Sequence, residues 1–169
     1  MERLCDSFRS MTPSTLVLAL AFFIGVIAGL RAMTAPAVTC WAAYLGWISL
    51  TGSHLAWMAS IITVAIFTLA AIGEIVNDKL PKTGPRTAPP SVVIRCVMGG
   101  LCGAALAIAG GQGWIIGVVL AIVGTLVGTF GGYQVRHQIV AGLKIKDLPI
   151  ALIEDIIAVG GGLLIVSHL

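Results

Sequence analysis

Apolar runs separated by short polar stretches set the pattern of this chain. Residues 14–33, 54–78, 90–111, 114–136 and 149–168 are each mostly apolar over about the 20 residues that a membrane-crossing helix needs. Pro13 stands just before the first run, where a proline suits a helix start. None of the runs shows the polar stripe, recurring every 3.6 residues, of a surface helix in a soluble protein. Residues 36–50 are apolar too, but that stretch is only 15 residues long. The pattern predicts an all-α polytopic bundle forming one transmembrane domain over residues 1–169. It has six spans if 36–50 crosses the bilayer and five if that segment is re-entrant. An irregular, non-crossing segment would need protein or water to satisfy its backbone, which favours six. Six spans also divide into two sets of three. A duplicated odd set must insert inverted, so a 3+3 inverted repeat is compatible with the count.

Charge placement orients the bundle. Lys79, Lys82 and Arg86 follow the third span, Arg95 lies one turn into the fourth, and Arg136, Lys144 and Lys146 fall between the fifth and sixth. The second-to-third and fourth-to-fifth connections carry no Lys or Arg. By the positive-inside preference the basic connections are cytoplasmic and the uncharged ones are not. Trp47, Trp57 and Trp114 sit at the uncharged ends, where an aromatic belt belongs. The start of the chain leaves two solutions. Six spans put both termini outside, with Arg31 inside among the other basic residues. Five spans put the N-terminus inside and leave Arg31 alone on the far face. The N-terminal stretch MERLCDSFRS before an apolar run has the outline of a signal peptide. The run leads into Arg31 without an A-x-A pattern, so it is read as a retained first span.

Composition narrows the class. Of the 169 residues, 58% are hydrophobic and only 10% charged, against about a quarter in soluble domains. A water-soluble globule, a disordered chain and a nucleic-acid binder with a basic stripe are excluded. Cys5, Cys40, Cys96 and Cys102 form no C-x-x-C pair, and three of them lie in apolar runs. Ordinary buried thiols fit better than a disulfide.

Two short segments resemble each other. Arg31-Ala32-Met33-Thr34-Ala35-Pro36 and Arg86-Thr87-Ala88-Pro89-Pro90 both place Thr-Ala-Pro at the entrance of an apolar helix, with an arginine just upstream. Proline tolerates the first helical turn, threonine can cap, and the free N–H groups there carry partial positive charge. With an arginine added, such an entrance suits phosphate or carboxylate. Arg31, Thr34, Arg86, Thr87 and Arg95 are therefore the candidate anion-binding residues. The alternative is a pair of ordinary helix starts at a membrane surface.

The acids are more telling. Glu74 and Asp78 are four apart and share a helix face near the inner end of the third span. Glu154 and Asp155 fall about one and a half turns into the sixth. Ionisable groups within a bilayer are costly and need partners, here Arg31, Arg95, Arg136, a cation or protons. Such a cluster serves either as structural salt bridges or as a coupling site for protons or cations. No cofactor is called for beyond such an ion, and a metal at these oxygens stays open.

Gly124, Gly128 and Gly132 repeat at spacing four, as do Gly99 and Gly103, which suits close helix packing within one bundle or across a homodimer. Gly160, Gly161 and Gly162 follow the second acid pair and are expected to let the sixth helix unwind beside it. No H-E-x-x-H, G-x-S-x-G or P-loop pattern occurs, and His54, His137 and His168 are scattered.

The strings Gly29-Leu30-Arg31-Ala32-Met33-Thr34-Ala35-Pro36, Gly73-Glu74-Ile75-Val76-Asn77-Asp78-Lys79-Leu80-Pro81-Lys82-Thr83, Arg86-Thr87-Ala88-Pro89-Pro90, Gly131-Gly132-Tyr133 and Glu154-Asp155 with Gly160-Gly161-Gly162 are distinctive together. They resemble a bacterial integral membrane family catalogued only as a domain of unknown function. The resemblance implies a small, multi-pass inner-membrane protein and supplies no activity, substrate or catalytic residue. The residues themselves lead first to a small transporter or channel-like permease for an anionic solute or lipid head group. Its partners are the bilayer, that small ligand and a second copy of the chain, and not nucleic acid. A structural or assembly protein without substrate, or a membrane-embedded Mg-dependent enzyme on lipid phosphates, are the alternatives.

Overall fold

The computed structural model describes residues 13–78, 87–143 and 147–169, with side chains described for all of these except 140–143 and 147–149. Among the described residues the protein is all helical. Its elements are α1 (Pro13–Leu30), α2 (Thr34–Tyr44), a 3-10 turn (Ala56–Ala59), α3 (Ile61–Asn77), α4 (Pro89–Ala109), α5 (Trp114–Leu143) and α6 (Asp147–Ser167). Four stretches, Pro13–Leu30, Pro89–Ala109, Trp114–Ile139 and Ile150–Ser167, are long and apolar enough to cross a membrane. The short α3 is apolar as well.

Local chemistry explains where the elements stop. The helix expected over 36–50 ends after 11 residues because Leu45 is followed by Gly46 at φ +77°. Gly46 N–H then donates to the Ala43 carbonyl and Trp47 N–H to the Ala42 carbonyl, which closes the helix end. The same device ends α4 at Gly111, φ +68°. The helix expected from residue 54 starts later, at Ile61, because Ser60 caps it by accepting the Ile62 N–H at 3.3 Å. Between them Ile48, Leu50 and Met58 stay buried in the core. No unwinding follows the triple glycine. The helix α6 runs unbroken through Gly160–Gly162, with Gly161 close to Ile27 and Gly162 close to Val38.

The densest packing joins α1, α4 and α5, and glycines make it possible. A methyl group on Gly124 would overlap the Phe22 carbonyl, one on Gly128 the Val26 carbonyl, and one on Gly25 the Ala121 carbonyl. Gly103 and Gly117 face each other in the same way. These small-residue faces are thus occupied inside one chain, and a second copy would have to meet a different surface. On the other side α2 lies between α3, α6 and α4, while α3 makes its main contacts with α2 and the 3-10 turn alone.

The contacts of three arginines set the directions of the helices. Arg31, just after α1, meets Asp78 at the end of α3 and Asp155 in α6. From α4, Arg95 reaches the last carbonyls of α1, and Arg136 in α5 meets Glu154 in α6. The ends of α1, α3 and α5 and the beginnings of α2, α4 and α6 therefore share one end of the bundle, the arginine end. At the opposite end Trp57 and Trp114 are 46% and 56% exposed, like side chains of an interfacial belt.

Candidate ion-pair cluster at the arginine end

The break between α1 and α2 organises the site. A helix that stops leaves its last carbonyls and the next helix's first N–H groups without partners. Here charged side chains from other helices supply them. Arg95 Nη1 donates to the Gly29 carbonyl at 2.6 Å and to the Leu30 carbonyl at 3.0 Å. The carboxylate of Glu74 accepts the Ala32 and Met33 N–H groups, each at 2.8 Å, and so caps α2 from α3. Such charge-assisted bonds are stronger than neutral ones. Arg95 is steadied in turn by Ser91, whose Oγ accepts from Nε at 3.3 Å, and its Nη2 lies 3.6 Å from Glu74 Oε1. Thr129 Oγ1 also donates to the Gly29 carbonyl, at 3.3 Å.

Arg31 occupies the centre. It is 0% exposed, and its guanidinium is shared between two helices. Nη1 pairs with Asp78 Oδ2, and Nη2 lies 2.5 Å from Asp155 Oδ1. The two carboxylates are themselves nearly buried, 10% and 11% exposed. Beside them Arg136 Nη1 stands 3.3 Å from Glu154 Oε2. Removing a guanidinium from water is tolerated only with such close partners.

Most of the candidate residues come together here. Arg31, Arg95, Glu74, Asp78, Glu154 and Asp155 form one connected region, with Arg136 added. Arg86 lies outside the described residues, and Thr87, just before α4, forms no hydrogen bond or ion pair among them. Neither threonine is a cap. The capping positions are Met33 and Ala88, without side-chain cap bonds, and Thr34 is already the first residue of α2. The Thr34 hydroxyl oxygen is buried with no hydrogen-bond partner among the described residues. Ser91 and Thr129 were not singled out from the sequence. The first was discernible as the residue one turn before Arg95, and the second only from the tight α1–α5 contact. Among the described residues no three His, Cys, Asp or Glu side chains are placed to share a metal ion.

Among the described residues, two hollows on the sides of the bundle lie near these elements. One, of about 390 Å³, lies between α3 and α6 with α2 as its floor, and reaches Thr34 beside the cluster. The other, of about 750 Å³, follows α4 and α5 past Cys96 to His54 and Trp114. Comparison of the chain with protein families, curated proteins and solved structures finds no match.

Proposed function

We propose that this chain is a small, multi-pass permease of a bacterial inner membrane that moves an anionic solute or lipid head group together with protons. The observation that carries the proposal is Arg31, fully buried and divided between carboxylates on two helices. An incoming anion can take the guanidinium only if a carboxylate lets go. A proton on Asp78 or Asp155 cancels that carboxylate's charge and frees a donor face of Arg31. Anion and proton thus bind together, which is coupling in the thermodynamic sense. The moving part is α3. It is attached through α2, the 3-10 turn and the tethers from Glu74 and Asp78, and weakly packed elements are the ones that open. Glu154 with Arg136 and Glu74 with Arg95 face the same cluster and hold its flanks.

Purified protein in liposomes should take up phosphate or small carboxylates along an imposed proton gradient. Asp155→Asn should fold but lose about 5–150-fold of the gradient-driven component, the range of a typical coupling free energy. Gradient-driven uptake that is identical in the wild type, the variant and empty liposomes would remove the permease reading.

In this proposal the chain crosses six times, because the 34–60 segment runs from the arginine end to the tryptophan end. The cytoplasmic face is then the arginine end. With Cys40, Cys96 and Cys102 replaced, Cys5 should react with a membrane-impermeant maleimide applied outside spheroplasts. Protection until lysis would put the tryptophan end inside and overturn this orientation.

A second reading is favoured by Glu74 and Arg95. Both close the α1–α2 break, as they would in an assembly protein whose charges only fix helix ends. In that case the uptake assay is silent for every substrate while cluster variants still lose stability.

A further inference from the structure

We propose that the cleft between α3 and α6 holds one acyl chain of a phospholipid, drawn from the leaflet at the arginine end. The inference requires only that the bundle sits in a bilayer, and it stands whether or not the chain is a permease.

The cleft exists because α3 and α6 make little direct contact and α2 alone bridges them. Its floor runs from Thr34 to Leu45, about 16 Å at 1.5 Å per residue. Half of a hydrocarbon core roughly 30 Å thick is about 15 Å. One leaflet therefore matches the cleft in length. The walls are Ile72 and Ile75 of α3 and Val159 and Leu163 of α6. The polar groups along the wall satisfy one another: Trp41 Nε1 donates to Thr68 Oγ1 at 3.1 Å, and Thr68 Oγ1 donates to the Val64 carbonyl at 2.6 Å. A file of water would need two to four polar partners per molecule, and this surface does not offer them.

Only the inner end is different. Thr34 is 2% exposed, lines the cleft and keeps a hydroxyl without a hydrogen-bond partner among the described residues. It opens α2 next to Arg31, whose guanidinium is already paired with Asp78 and Asp155, while the Ala32 and Met33 N–H groups go to Glu74, so the Thr34 hydroxyl is the donor left at that end. A neutral ester oxygen of the lipid belongs there, with the chain trailing toward Trp41 and Leu45. The cleft's volume of about 390 Å³ is within the range of ligand cavities, about 300–1,000 Å³.

The test is a titration in detergent micelles with phosphatidylglycerol brominated along its acyl chain, a quencher of tryptophan. With Trp57 and Trp114 changed to Phe, Trp41 and Trp47 remain as reporters in the cleft. Quenching should saturate near one lipid per chain, and Ala71→Leu, which fills the cleft, should remove the saturable phase. Thr34→Val leaves the cleft open and should weaken half-saturation by about 2–10-fold, the value of one hydrogen bond. It keeps the test decisive if Ala71→Leu fails to fold. Quenching that never saturates, or that saturates identically in a folded Ala71→Leu and in Thr34→Val, overturns the proposal.

Discussion

Arg31→Met is expected to cost about 3–5 kcal/mol of folding stability, the usual consequence of removing one partner from a buried ion pair. The side chain is 0% exposed, and its loss leaves Asp78 and Asp155 facing each other's charge across a water-poor site. Methionine fills much of the volume, so the loss reads charge rather than a cavity. Unfolding by denaturing detergent, followed by helix content, measures it. The triple variant Arg31→Met, Asp78→Asn, Asp155→Asn removes all three charges and should recover most of the loss, because a matched apolar or neutral set is often no worse than the pair it replaces. A triple variant as unstable as the single one would show that Arg31 acts through packing. Stability is measured without any substrate, so this result holds for the permease and the assembly protein alike.

Apolar run length, and the cost of charge within a run, made much of this architecture legible. Four long helices and the grouping of Arg31 with Glu74, Asp78, Glu154 and Asp155 follow from those two rules. What hydropathy could not convey is backbone direction. Trp47, Ile48 and Leu50 keep the stretch mostly apolar after Gly46 has turned the chain, so the end of α2 leaves little trace in an apolarity scale. The break at Arg31 was hidden for a related reason. Thr34 has the composition of a cap, yet the N–H groups of Ala32 and Met33 go to Glu74, 41 residues or more away in the chain. Glycine suffers from the opposite ambiguity. Gly160–Gly162 suggests a weak point in isolation, but Ile27 and Val38 press against that turn and it stays helical. The lateral cleft depends on two helices failing to meet, and no local feature encodes that.

The glycines at spacing four yield the other large effect. A methyl at residue 124 would coincide with the Phe22 carbonyl, which belongs to the rigid backbone of α1 and cannot rotate aside. Gly124→Ala must therefore push α1 and α5 apart along their whole contact. Overpacking of a tight interface costs about 1–3 kcal/mol and occasionally more, and the upper end is expected here because Gly25, Gly29 and Gly128 share the seam. Gly124→Leu should not assemble at all. Gly131 and Gly160 are the controls, since a methyl on either meets no atom within 4 Å. Alanine there removes only glycine's backbone freedom, worth about 1 kcal/mol in a helix, so both variants should hold or gain stability. Equal losses at 124 and 160 under detergent-induced unfolding would mean that the α1–α5 seam is looser than its glycines imply. The opposite ranking, with 124 far below 160, would place the stability of the bundle in backbone-to-backbone contact. Arg31 and Arg95 are then held by a tight α1–α4–α5 frame, while their carboxylate partners Asp78 and Glu74 come from α3, which packs mainly on α2 and the 3-10 turn, and Asp155 comes from α6.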